Sequence, residues 1–173
     1  MPVDDVERIL EALSERGLKI TPQRLEVVEV MRGNKSHPSA DDVLHEVRKK
    51  YPFATYSTVY STLDALYQLG EVRKLVLGDG EVRYDPDTRA HQHMVCRKCG
   101  LVVDVPQEYF ASLHVPAEIR KDFDVEEYSI EFRGVCGKCR GSTGPKGKKR
   151  GPKTKKKKQA KKTGKKSAGR SRK

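Results

Sequence analysis

Apolar positions recur at helical spacing in four segments of the first half of the chain. Over residues 6–13, Val6, Ile9, Leu10 and Leu13 form one stripe, which ends near Gly17. Thr21-Pro22-Gln23-Arg24 predicts the start of a second helix, with Thr21 as N-cap and Pro22 at the first helical position, where its missing N–H costs nothing. Leu25, Val28 and Met31 are expected on its buried face. After the break at 33–38, Ser39-Ala40-Asp41-Asp42 has the form of a capping box with Asp in place of Glu, and Val43, Leu44 and Val47 supply a third stripe. The fourth segment, 57–69, buries Val59, Leu63, Leu66 and Leu69. It leaves Thr58, Tyr60, Ser61, Thr62 and Asp64 outside that stripe, with Gly70 placed for a C-cap.

The pattern then turns strand-like. Residues 72–77 and 81–84 are joined by Gly78-Asp79-Gly80, a hairpin signal. Helices followed by a two-stranded hairpin predict a winged helix-turn-helix, whose last helix offers its exposed face to the major groove. Ser57, Thr58, Tyr60, Ser61 and Thr62 on that helix, with Arg24, are the candidate DNA-binding residues. Small hydroxyls and one aromatic suit phosphate and thymine-methyl contact. A small α+β domain with no role on DNA fits the same pattern.

The second half is organised by candidate metal ligands. Cys96-Arg97-Lys98-Cys99 and Cys136-Gly137-Lys138-Cys139 are two CxxC knuckles, which read together as a tetrahedral zinc site of four thiolates. The 36 residues between them exceed a simple ribbon, so intervening structure must bring the pairs together. Residues 101–105 and 125–132 read as strands, with short helical pieces at 109–113 and 116–123. A redox dithiol is the rival, but neither pair opens a helix after a strand, as that chemistry needs. His91-Gln92-His93 lies in a predicted strand, whose alternation puts both imidazoles on one face. Asp85 ends the wing and Asp104 sits on the strand after the first knuckle. Imidazoles with carboxylates suit Fe(II), Mn(II) or Zn(II). His37, in the interhelical break, reaches the same ion only if the two halves fold against each other, while His45 and His114 read as structural or surface residues.

Charge divides the chain again. Residues 142–173 hold 13 Lys and 3 Arg with no acid, so the other 141 residues are net −4 within a chain of net +12. This tail is nearly free of apolar residues and is expected to be disordered, with lysines that add sequence-independent, salt-dependent attraction to nucleic acid. No apolar run is long enough to span a bilayer, and the acidic N-terminus lacks a signal-peptide pattern, so a cytoplasmic location is expected. There is no nucleophile–base pair and no phosphate-cradling loop, so an enzyme is not expected.

Taken together, Thr21-Pro22-Gln23-Arg24, His37-Pro38-Ser39-Ala40, Thr58-Val59-Tyr60 with Thr62-Leu63, His91-Gln92-His93, both knuckles and Gly134-Val135-Cys136 resemble the ferric uptake regulator family. The resemblance runs from about residue 6 to residue 140. It implies a homodimeric repressor that binds operator DNA. Its expected layout is an α+β chain with a winged-helix DNA-binding domain at 1–84, a small α/β metal-binding dimerisation domain at 85–141 carrying the zinc site, and the tail at 142–173. It also implies a regulatory Fe(II) or Mn(II) site at the hinge, with His37, Asp85, His91, His93 and Asp104 as ligands. Asp104, where iron-sensing members typically present Glu, resembles the peroxide-stress branch, in which bound iron and peroxide oxidise a ligand histidine; His37 and His91 are the expected targets. Ala90 and Tyr128 stand where many relatives carry histidines of an additional metal site, which is therefore not expected. Ser61 replaces a frequent Arg in the recognition helix, leaving the tail as a possible source of compensating phosphate attraction. The alternatives are an iron- or zinc-availability repressor of the same fold, and a zinc-stabilised protein that binds nucleic acid without sequence preference.

Overall fold

The computed structural model describes residues 6–77, 80–125 and 128–141. The predicted tail and the Gly78-Asp79 part of the wing turn lie outside the described residues. Four helices come first: α1 (Val6–Glu15), α2 (Pro22–Met31), α3 (Ala40–Lys50) and α4 (Tyr56–Gln68). An antiparallel hairpin follows, β1 (Arg73–Val76) with β2 (Val82–Asp85), and completes the winged helix-turn-helix. The second half is a three-stranded sheet in the order β4-β3-β5, formed by β3 (His91–Cys96), β4 (Val102–Pro106) and β5 (Glu131–Gly134). β3 runs antiparallel to β4 and parallel to β5. A 3-10 turn (Gln107–Phe110) and two single-turn helices, α5 (Ala117–Arg120) and α6 (Gly137–Arg140), complete the described chain. No helix among the described residues is long and apolar enough to cross a membrane.

The helices begin where side chains satisfy free backbone N–H groups. Thr21 Oγ1 accepts from the Arg24 amide at 3.4 Å. Ser39 Oγ accepts from the Asp42 amide at 3.2 Å while the Ser39 amide donates back to Asp42 Oδ2 at 3.1 Å, a reciprocal box. Thr55 caps α4 through the Thr58 amide at 3.2 Å, so this helix starts a residue before the expected Ser57. Gly70, at φ +75°, ends it in the left-handed conformation that glycine adopts without a Cβ penalty.

Ile9, Leu13, Val27, Val28, Met31, Val43, Val47, Val59, Leu63 and Leu66 form a fully buried core, each side chain contributing roughly 1.5–3 kcal/mol by leaving water. Two expectations are corrected here. On α2 the buried residue is Val27, whereas Leu25 is 37% exposed, because α2 is held between α3 and α4 and its inner face is centred one step further round. On α4 Thr62 is fully buried together with Ala65, and Leu69 is only half-buried. The Thr62 hydroxyl is accommodated because it donates to the Thr58 carbonyl at 2.7 Å, leaving its methyl to pack.

The first half reaches the second through β2. The Tyr84 amide donates to the Pro38 carbonyl at 2.9 Å and Ser39 bridges to Arg83, so the 37–39 segment lies along β2 and His37 comes beside Asp85. The three-stranded sheet presents two unlike faces. His91 and His93 share one with Asp104, which is the register partner of His93. Met94 lies on the other, between its register partners Val103 and Phe132, and all three side chains are exposed.

Candidate metal centres

The imidazoles of His37, His91 and His93 converge on two carboxylates. His37 Nε2 lies 2.8 Å from Asp104 Oδ1 and 3.8 Å from Asp85 Oδ1. His91 Nε2 is 2.9 Å from Asp85 Oδ2, and His93 Nε2 is 3.5 Å from the same oxygen and 4.0 Å from Asp104 Oδ1. One donor atom each from His37, His91, His93 and Asp104 falls within 4.8 Å of all the others. Spacings of this kind separate neighbouring donors around an ion bonded at about 2.1 Å.

The hydrogen-bond pattern makes the case for a cation more strongly than the distances. His91 Nδ1 is 2.9 Å from the Arg89 carbonyl oxygen, which can only accept, so Nδ1 carries the proton and the Nε2 lone pair faces Asp85. Two acceptors at 2.9 Å are repulsive unless a cation or proton sits between them. Nε2 of all three histidines, Asp85 Oδ2 and Asp104 Oδ1 are buried atoms without a hydrogen-bond partner. A native interior rarely leaves such atoms clustered without partners, and a divalent ion among His37, His91, His93 and Asp104, with Asp85 beside His91 and His93, satisfies them together. Burial pulls His37 below the ordinary histidine range, favouring the neutral ring that a metal needs. The Asp85 carboxylate 2.9 Å from its Nε2 raises His91. Burial pushes Asp85 up, but the adjoining His91 and His93 rings and the bond from the Asp87 amide outweigh it and hold the carboxyl below its usual range. Two carboxylates among neutral imidazoles leave a double negative charge that a divalent cation balances.

His37 is also the sole described non-glycine residue with positive φ, at +49°. The Arg83 guanidinium, buried on β2, donates to its carbonyl at 3.2 Å. Arg83 and Gln92, whose amide is buried and donates to Gln107 Oε1 at 2.9 Å, are structural polar residues that the sequence reading passed over.

The four cysteines form the second centre. Parallel pairing of β5 on β3 sets Gly134 opposite Cys96, which is how knuckles 36 residues apart meet. Cys99 Sγ and Cys136 Sγ are 3.8 Å apart. A disulfide needs about 2.05 Å. A tetrahedron of thiolates bonded to zinc at about 2.3 Å has edges of about 3.8 Å. The Cys136 amide donates to Cys96 Sγ at 3.3 Å, and such N–H donation holds the Cys96 thiol down at about 6. The sulfurs of Cys99 and Cys136 push Cys139 up to about 12. Four closely packed sulfurs with backbone N–H support suit structural zinc and leave no position for catalysis.

On the face of α4 that the sequence predicts to meet DNA, Ser57, Tyr60 and Ser61 are exposed and Thr58 is half-buried. Arg24 donates to the Lys19 carbonyl at 2.7 Å and to Ser61 Oγ at 3.4 Å, so these two candidates meet where α2 passes α4. Thr62, buried in the core, is not on this face. Tyr56 was missed: it stacks on Tyr60 with centroids 5.4 Å apart, and the i,i+4 spacing of two tyrosines was the available signal. His45 and His114 are exposed and belong to neither centre.

The profile of the ferric uptake regulator family matches residues 15–133. The peroxide-responsive repressor PerR of Staphylococcus epidermidis is 32% identical over 136 residues, covering 79% of this chain and 91% of its own. The peroxide stress regulator of Campylobacter jejuni superposes with a TM-score of 0.56 at 31% identity, covering 75% of this chain and 98% of that one. A zinc uptake regulator solved with zinc and DNA superposes with a TM-score of 0.53 at 28% identity, covering 78% and 91%. The winged helix, the paired metal centres and these likenesses place the chain in the ferric uptake regulator family of metal-responsive transcription regulators.

Proposed function

We propose that the protein is a homodimeric repressor that binds operator DNA through α4 when Fe(II) or Mn(II) occupies the five-residue centre, and that it senses peroxide through that centre. The observation that carries this reading is the convergence of His37, from the helical half, with Asp85, His91, His93 and Asp104, all with unpartnered buried donor atoms. An ion held by both halves selects one arrangement of the DNA-binding domain relative to the sheet. Metal and operator then strengthen each other's binding by the same factor.

Iron bound here supplies the chemistry that converts peroxide into an oxidant of nearby side chains. The chain's contribution is to hold the rings of His37 and His91 against the ion. Five donors leave a position for a small molecule, and the short side chain of Asp104 keeps His37 Nε2 within 2.8 Å. Oxygen added to either ring removes a ligand and frees the operator. Likeness to two peroxide-responsive regulators supports this reading. Likeness to the zinc uptake regulator favours a second, in which the centre reports metal availability alone.

The exposed row of Met94, Val103 and Phe132 suits burial against a second copy. The tail is assigned phosphate attraction beyond what the winged helix supplies. Arg8, Arg32, Lys49, Lys50, Lys74 and Arg83 are each paired with a carboxylate, and the recognition helix presents Ser61 in place of a cation.

The test is to load the zinc-containing protein anaerobically with Fe(II), add peroxide and map oxygen incorporation by peptide mass spectrometry beside a Mn(II)-loaded control. One added oxygen on the His37 or His91 peptide, with iron only, is expected. Intact histidines with iron demonstrably bound would replace peroxide sensing by the metal-availability reading.

A further inference from the structure

Arg83 is a buried cation, 5% exposed, that the metal centres do not use as a ligand. It sits on β2 two residues before Asp85, and its backbone bridges Ser39. Its guanidinium meets three different parts of the fold. Nη1 donates to the His37 carbonyl at 3.2 Å and lies 3.4 Å from Asp42 Oδ2, the carboxylate that closes the capping box of α3. Nη2 is 3.0 Å from Glu81 on the approach to β2. Nη2 also lies near the turn of the first zinc knuckle, where a Cβ built on Gly100 would come within 3.4 Å of it. Gly100 has φ +72°, and its amide closes the knuckle turn on the Cys96 carbonyl at 2.8 Å.

We infer that Arg83 is a positioning residue that holds His37 in ligand geometry and ties it to the start of α3 and the approach to β2. His37 adopts φ +49°, a conformation that a residue with a Cβ avoids and that surrounding structure must impose. Pro38 follows it, and the Pro38 carbonyl is fixed by the Tyr84 amide. That leaves the His37 carbonyl as the free end of the turn, and Arg83 Nη1 captures it while bonding Asp42. The second nitrogen of the planar guanidinium, Nη2, holds Glu81 at the same time, and an ammonium on a lysine stem is a single point donor that cannot reach all three acceptors in the same way.

The inference rests on His37 being a ligand, and the test separates the two. The probe is Mn(II) alone, titrated calorimetrically into zinc-loaded dimeric Arg83→Met and Arg83→Lys, with His37→Ala as control. Both Arg83 variants are expected to keep one zinc per chain and their dimeric mass. Mn(II) affinity should fall at least tenfold in the Met variant and less in the Lys variant. Operator binding without Mn(II) should be unchanged, and the enhancement by Mn(II) reduced in step. A Met or Lys variant with full zinc and wild-type Mn(II) affinity overturns the inference. Loss of zinc and dimer in both variants overturns it as well, since Arg83 would then support the fold at large. Normal Mn(II) binding by His37→Ala instead removes the ligand assignment on which it rests.

Discussion

His37 Nε2 and Asp104 Oδ1 meet at 2.8 Å, although His37 belongs to the turn before α3 and Asp104 to a strand of the C-terminal sheet. His37 is 1% exposed and aimed at the sheet face that carries His91 and His93. The relationship makes the centre a clasp between halves. On the proposed reading, its occupancy favours one relative placement of the halves.

His37→Ala should leave the zinc content and dimer intact and abolish metal-dependent operator binding in an anisotropy titration. His37→Gly isolates the backbone contribution. Alanine at φ +49° carries a left-handed penalty of roughly 1–2 kcal/mol that glycine avoids, partly offset by the greater entropy of glycine in the unfolded chain. With zinc in place and no second metal, the Gly variant should melt above the Ala variant. Equal melting would mean that the turn relaxes once the imidazole is gone.

Removing the zinc should be far more damaging. Cys136→Ser breaks the tetrahedron where β5 hands the chain to α6. Structural zinc contributes on the order of 10 kcal/mol of folding free energy. Few apolar side chains of the sheet are buried, Val102 and the cysteines Cys96 and Cys139 among them. Zinc loss, monomeric mass and a collapse of sheet signal in circular dichroism are expected together; a zinc-free dimer with a normal spectrum would refute the role.

Much of this architecture was legible because its causes are local. Thr21, Ser39 and Gly70 mark helix ends by hydrogen bonds within a few residues, and HxH alternation puts two imidazoles on one strand face. Both knuckles were plain from spacing. What could not be read was set by neighbours. Leu25 and Val27 are equally apolar, and only the placement of α2 between α3 and α4 decides which is buried. Arg83 has no pattern of its own, since its partners lie on three separate segments.

Thr62→Val tests the corrected reading of α4. Valine keeps the buried shape and removes the hydroxyl that bonds the Thr58 carbonyl, a carbonyl that remains bonded within the helix. Stability should change by no more than about 1 kcal/mol and operator affinity should be unchanged. A selective loss of DNA binding at unchanged melting temperature would return Thr62 to the DNA face.

Asp104→Glu lengthens the carboxylate stem opposite His37 by one methylene. The oxygen that now sits 2.8 Å from His37 Nε2 must shift, by rotation or by moving the ion, and the contact of peroxide with the ring changes with it. Mn(II)-dependent operator binding should survive, while histidine oxidation in the iron-loaded protein should slow. Undiminished oxidation in the Glu variant would remove Asp104 from the determinants of peroxide sensitivity.

Truncation after Gly141 separates two contributions to DNA affinity. The remaining chain is net −4, and residues 142–173 supply sixteen cations. Each phosphate neutralised by a cation steepens the fall of log affinity with log salt by about 0.9. If the tail makes even four such contacts, its loss should flatten the slope by roughly 3.6 and lower affinity most at low salt. Binding to random duplex should drop in parallel with operator binding, because lysines on phosphates carry no sequence information. The ratio of operator to random affinity should then hold or rise, since base reading by α4 is untouched. An unchanged slope would show that the tail leaves DNA alone, and a falling ratio would show that it takes part in reading the site.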